Sequence, residues 1–160
     1  MKKIIYTRPD GGLSVVHPVI NTHPVRENIT EEEALQRAFA KLSSDAINPQ
    51  IVEANVIPTD RTFRDAWSHG GDKVVHDMPK CREIWKDKLR EIRAPILAVL
   101  DVEYLLADEK SDTILKGQIA IKKQALRDVT ADPRIERSQT PEELKAVIPN
   151  VLDNKHVSKP

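Results

Sequence analysis

The stretch Asp77-Met78-Pro79-Lys80-Cys81-Arg82-Glu83-Ile84-Trp85-Lys86-Asp87-Lys88-Leu89-Arg90-Glu91-Ile92 decides the architecture. Cys81, Ile84, Trp85, Leu89 and Ile92 recur at spacings of three and four, the period of one helical face. Arg82, Glu83, Lys86, Asp87, Arg90 and Glu91 fill the remainder, so the segment predicts an amphipathic α-helix. Asp77 suits its N-cap, and Pro79 is tolerated in the first turn, where an N–H has no intrahelical partner anyway. Pro95 is expected to kink or restart the helix, because it lacks a donor and its ring crowds the preceding turn. Beyond it, Ile96, Leu97, Val99, Leu100, Val102, Tyr104, Leu105 and Leu106 are apolar almost all round, which predicts deeper burial than for residues 81–92. Asp108 to Asp112 is a polar break. Ile114, Leu115, Ile119, Ala125, Leu126 and Val129 then mark a second helix, stopped by Thr130-Ala131-Asp132-Pro133.

Length adds a constraint. A helix over 77–109 reaches roughly 50 Å and one over 112–129 roughly 27 Å, so an antiparallel hairpin covers only about half of the longer partner. The part after Pro95 is the natural partner of the second helix. The 81–92 stripe is left needing another surface: the N-terminal sheet, the turn bearing Phe63 and Trp67, or a second chain. It is therefore the expected docking surface, with a possible homo-oligomer through it, and Trp85→Asp is expected to abolish binding or unfold the chain.

Outward toward the C-terminus, Thr140-Pro141-Glu142-Glu143 has the cap, first-position proline and acidic first turn of a short final helix. Pro149 ends it, and 151–160 reads as a flexible tail. Toward the N-terminus, Lys3 to Thr7 and Leu13 to His17 flank the turn Arg8-Pro9-Asp10-Gly11-Gly12, a β-hairpin pattern. A loop with His23 and Pro24 follows. Thr30-Glu31-Glu32-Glu33 is a capping box before a helix over 31–42. Ile51 to Ile57 predicts a strand ending at Pro58. Thr59 to Trp67 predicts a short helical turn capped by Thr59 or Asp60, with Phe63 and Trp67 four apart on one face as core or interface anchors. The expected fold class is α+β. A small α+β unit (1–76) precedes a long kinked helical hairpin with a short helix (77–150) and the tail (151–160).

Composition mostly excludes. Among 160 residues, 25 Lys and Arg balance 25 Asp and Glu, spread evenly along the chain. A charge-driven nucleic-acid interface is therefore not expected: Arg61 and Arg64 alternate with Asp60 and Asp65, as Arg90 and Arg93 do with Asp87 and Glu91. No apolar run approaches the roughly 20 residues of a membrane helix. The opening Met1 to Thr7 meets Arg8-Pro9-Asp10 too soon for the apolar region of a secretory signal. A chain with one cysteine is expected in a reducing intracellular setting by default. The single cysteine, Cys81, excludes an internal disulfide framework.

Chemistry-bearing motifs are scarce. Of five histidines, His17, His23 and His69 lie beside Pro or Gly, and His156 falls in the tail. His76 with Cys81 offers two metal ligands where a site needs three or four. Gly70-Gly71 lacks the strand–glycine–helix context of a phosphate loop, and no nucleophile elbow or HExxH sequence occurs. No catalytic residue, metal site or cofactor is expected, and the chain does not read as an enzyme.

Two stretches carry a resemblance. Asp60-Arg61-Thr62-Phe63-Arg64-Asp65-Ala66-Trp67 with Asp77-Met78-Pro79-Lys80-Cys81-Arg82-Glu83-Ile84, and Lys122-Lys123-Gln124-Ala125-Leu126-Arg127-Asp128-Val129-Thr130-Ala131-Asp132-Pro133 with Thr140-Pro141-Glu142-Glu143-Leu144-Lys145, resemble a group of uncharacterised proteins encoded by tailed bacteriophages and prophages. The likeness spans roughly residues 50–150. The C-terminal part is also similar to tail-fibre assembly chaperones. Arg93, Ile96, Leu97 and Asp101 match their Arg-x-x-Leu-Leu helix and following aspartate, and Gln124, Leu126, Arg127 and Asp128 match their Gln-x-Leu-Arg-Asp run. Those chaperones usually carry Asp-Trp where this chain has Asp101-Val102, and an aromatic, proline-rich end that it lacks.

The resemblance implies a phage protein that binds tail or tail-fibre components as an assembly factor in the host cytoplasm. The alternatives are a structural part of the virion, and a small host-directed effector or enzyme with an unrecognised site. The residues themselves give Arg127 and Asp128, near a helix end, a structural role first.

Overall fold

The computed structural model describes residues 1–20 and 29–152, so the loop at His23 and Pro24, the tail from 153 and His156 lie outside the described residues. The fold is α+β. The chain divides into two compact units, Met1–Asp77 and Met78–Pro160.

In the first unit, β1 (Lys2–Thr7) pairs antiparallel with β2 (Leu13–Val16), Ile5 opposite Val15 and Thr7 opposite Leu13. The expected turn joins them. The Arg8 N–H donates to the Gly12 carbonyl at 2.8 Å, and Gly11 stands at φ +80°, a backbone conformation that penalises any Cβ. Helix α1 (Glu31–Ala40) begins on its capping box: the Thr30 hydroxyl accepts from the Glu33 N–H at 3.2 Å, and the Glu33 carboxylate accepts from the Thr30 N–H at 2.9 Å. It ends two residues before the expected boundary.

Strand β3 (Ile47–Glu53) lies on the other side of β1, giving the order β2-β1-β3. It starts earlier than the expected 51–57 and stops earlier, running into a 3-10 turn at Ala54–Val56. Asn48 and Pro49 read as loop residues in the sequence. On an edge strand their conformation (Asn48 has φ 50°) and missing N–H are tolerated. Ile4 and Ile5 point to opposite faces of β1 and both are fully buried, so both faces of this small sheet are covered. One core collects Ile5, Leu13, Val52 and Trp67.

The segment before Asp77 corrects the helical turn expected over 59–67. Asp60 accepts from the Thr62 N–H at 2.8 Å, a 3-10 turn occupies only Arg64–Ala66, and Trp67 already belongs to β4 (Trp67–His69). That strand pairs with β5 (Val74–His76) across Gly70-Gly71. Phe63 and Trp67 do not share a helical face, although both are buried.

The second unit is helical. Helix α2 runs from Met78 to Glu109 as one helix with Pro95 inside it, so of the two outcomes expected at that proline, a kink or a restart, the restart does not occur. Ser111, at φ 56°, turns the chain, and Asp112 caps α3 (Thr113–Arg127) by accepting from the Leu115 N–H at 2.9 Å. A 3-10 turn (Asp128–Ala131) follows. The Asp132-Pro133 sequence, expected only to stop a helix, also starts one: α4 (Pro133–Arg137), with Asp132 accepting from the Arg134 N–H at 2.9 Å. Helix α5 (Pro141–Lys145) begins on Thr140 as expected. Val151 and Leu152 close the described chain in a 3-10 turn with Leu152 buried, so these two residues are not loose.

Candidate interaction surface

The residues expected to form the docking stripe belong to the core of the second unit. Cys81, Trp85 and Leu89 are buried, Ile84 is half-buried, and only Ile92 is substantially open, at 46% exposure. The cover comes from the segment after α3. The Trp85 indole N–H donates to the Val147 carbonyl at 3.0 Å, the Arg82 guanidinium donates to the Ser138 carbonyl at 2.9 Å, and Lys86 pairs with Glu136 and Glu83, each at 2.9 Å. Those two carboxylates hold the Lys86 ammonium pKa above its ordinary value, and Lys86 in turn holds Glu136 below the usual carboxylate range. Ile135, Leu144 and Val147 are buried with the stripe's residues. The 81–92 stripe is therefore not an open docking surface, because the chain seals it with α4, α5 and the turns around them. Trp85→Asp is an unfolding substitution and cannot report on binding.

The half of α2 after Pro95 corrects the second expectation. Only a narrow seam of it, Leu100 and Ala107, is buried, together with Ile119 and Leu126 of α3. Its other sides stay open: Val99 is 59% exposed, Val102 57%, Leu105 62% and Leu106 48%. On α3, Ile114 and Ile121 are 75% and 73% exposed and Leu115 is 41%. The sequence is apolar almost all round as expected, but α3 is one helix and can cover one side only. This arm of the α2–α3 hairpin is the candidate functional surface.

Polar contacts set the arm's register. Asp101 pairs with Lys123 and Asp108 with Lys116, a ladder whose members are seven residues apart on each helix. Tyr104 lies between the two ammonium groups, its ring centre 5.4 Å from Lys116 Nζ and 5.2 Å from Lys123 Nζ. The hydrogen bond to Asp108 raises the Lys116 pKa. At the Pro95 end, the Arg93 guanidinium donates to the carbonyls of Leu126 and Arg127, at 3.1 and 2.6 Å, and so caps the C-terminus of α3. Gln124 donates to Asp128 at 2.9 Å.

The residues that carry the sequence resemblance in this half, Arg93, Asp101, Arg127 and Asp128, thus meet along the hairpin, where their contacts are structural. Arg61 and Arg64 are exposed in the other unit, and Asp60 holds its own turn.

Helical geometry places the open face relative to the ladder. Successive residues turn by about 100°, so Val99 and Leu106, each two residues before a ladder aspartate, point nearly opposite to it. Ile92 continues the same seven-residue row. Leu115 and Lys122, each one residue before a ladder lysine, are turned a quarter of the way round α3. The side of the arm opposite the ladder carries an unpartnered apolar row, and Leu105, four residues after Asp101 and three before Asp108, is open on the ladder side. The signal was present in the sequence as the all-round apolar pattern of 96–106; what it lacked was the number of helices available to cover it.

No protein-family model matches this chain, and no curated protein or solved structure is similar enough to be counted a relative. Among the described residues, no helix is long and apolar enough to cross a membrane, and no three His, Cys, Asp or Glu side chains group as a metal set.

Proposed function

We propose that this chain is a non-enzymatic phage protein that binds tail or tail-fibre polypeptides during assembly, acting in the host cytoplasm. The observation that carries the binding role is the open apolar face of the α2–α3 arm. Exposed rows of this kind, bordered by charge, mark surfaces made to meet another polypeptide. The phage assignment rests on the resemblance of residues 60–67, 77–84, 122–133 and 140–145 to phage-encoded proteins. The fold adds a physical reason for a tail partner of elongated shape. An arm whose apolar row follows the helix axis matches an extended or helical client better than a compact pocket-bound ligand.

Co-expression with the tail and tail-fibre proteins of the same phage tests this. The wild-type chain is expected to co-purify with one of them, and the Val99→Glu/Leu106→Glu variant, changed only at exposed positions, is expected to lose that partner while keeping its helical circular dichroism. A client captured equally by the wild type and the variant, or by neither of the two, defeats the proposal. Mass spectrometry of purified particles separates an assembly factor, which is absent from them, from a virion component present at fixed stoichiometry.

A further inference from the structure

We infer that the arm's apolar face is a homodimer interface, on which a second copy of this chain packs the same face to form a four-helix bundle. This deepens the partner-binding proposal, on which it rests for the role of the face, by naming what covers that face when no client is present.

The first argument is periodicity. Ile92, Val99 and Leu106 repeat every seven residues on α2, as do the ladder residues opposite them. A seven-residue apolar row is the pattern by which helices pack lengthwise on other helices, whereas an irregular patch would fit a globular surface. The hairpin supplies two antiparallel helices, and a second hairpin supplies the two that complete a bundle.

The second argument is charge. The Asp101–Lys123 and Asp108–Lys116 pairs fix the register of the arm, which puts Glu103 level with Ile121 and Lys122, and Val99 level with Ala125. Glu103 lies four residues after Val99 and three before Leu106, on the same side of α2. Both Glu103 and Lys122 are exposed, and neither forms an ion pair among the described residues. A two-fold axis parallel to the helices sets α2 of one copy antiparallel to α3 of the other at equal height. Val99 then stands level with Ala125 of the second copy and Leu106 with Gln118, one turn from Leu115, and Glu103 meets Lys122 of the second copy, twice over by symmetry. This self-complementarity is what an isologous interface requires. The balance of 25 basic and 25 acidic residues leaves no long-range repulsion between copies.

Sedimentation equilibrium of the full chain tests the inference. The wild type is expected to be a dimer at micromolar concentration, and Val99→Glu/Leu106→Glu a monomer with unchanged helical circular dichroism. Glu103→Lys, which places like charges across the interface, is expected to raise the dimer Kd about tenfold or more, and adding Lys122→Glu to restore it. A wild-type chain that stays monomeric up to about 100 μM, a double glutamate variant that still dimerises, or a charge swap that fails to restore association overturns the inference. A monomer that still captures a tail protein would sink the dimer and spare the proposed function. A dimer that captures none would do the reverse.

Discussion

The two halves of α2 differ in apolar content and meet the fates opposite to what that content suggests. The segment up to Leu89, with a single stripe, is sealed by α4, α5 and the turns between them: Cys81, Trp85 and Leu89 are buried, and the Trp85 indole N–H is satisfied by the Val147 carbonyl. The segment after Pro95, apolar on nearly every side, has one neighbour and keeps Val99, Val102, Leu105 and Leu106 open. The difference lies in what the rest of the chain can reach. After α3 returns antiparallel along the arm, its C-terminus arrives beside Arg93, and the described residues that follow supply the partners of Arg82, Trp85 and Lys86 at the base of α2. Apolar content states that a face will be covered; chain length and connectivity decide whether the same molecule does it.

That contrast can be broken most directly by truncating matched leucines. Leu89→Ala leaves a cavity at a fully buried site and should cost about 2–5 kcal/mol in urea unfolding. Leu106→Ala, measured at a concentration where the chain is monomeric, should stay within about 0.5 kcal/mol because the residue is open. Equal costs would mean that the arm is as sealed as the base.

A second test concerns the hydrogen bonds of the base. Trp85→Phe removes the donor to Val147 and leaves a buried carbonyl unpaired, an expected loss of about 1–3 kcal/mol in the same unfolding assay.

Third comes the cap that starts the base's cover. Asp132→Ala should cost about 1 kcal/mol by loss of the α4 N-cap. Its sign with pH is fixed by the Arg134 side chain, whose hydrogen bonds hold the Asp132 carboxyl below the usual carboxylate range. The folded state therefore favours the ionised form. The stabilisation is complete above the ordinary pKa of about 4 and disappears as pH falls through the lower folded value. Asp132→Asn should flatten that acid limb of the stability profile, and an unchanged limb would show that Asp132 does not contribute to it.

The smallest effect is expected at the arm's ladder. Asp101→Asn removes an ion pair between an exposed carboxylate and the half-buried Lys123, and its change in melting temperature should be small and shrink in about 1 M salt.

Much of the fold was legible because its signals are local. The capping box at Thr30, the Arg8–Gly12 turn, the Thr140-Pro141 start and the helical period from Cys81 onward each depend on neighbours in sequence, and each appears where expected. The misses are places where tertiary placement overrides local preference. Asn48 and Pro49 punctuate a loop in most contexts and are tolerated here because β3 is an edge strand. Trp67 has helical spacing from Phe63 but is drawn into β4, where it joins the core of Ile5, Leu13 and Val52. Asp132-Pro133 carries the same start signal as Thr140-Pro141 and was eclipsed by its simultaneous role as a stop. Residues 81–89 read as an uncovered stripe in the sequence and are buried in the structure for a reason of the same kind. The helices that cover residues 81–89 are five residues long each, too short to weigh as a lid when read as sequence.

The passage of α2 through Pro95 has a consequence for how load moves through the unit. Proline leaves the Glu91 carbonyl without its usual donor, yet the rod does not end there, and Arg93 braces the same level from the side by gripping the end of α3. A pull exerted on the tip would be carried as bending of one continuous beam into its embedded root, with the proline turn as the most compliant point along it.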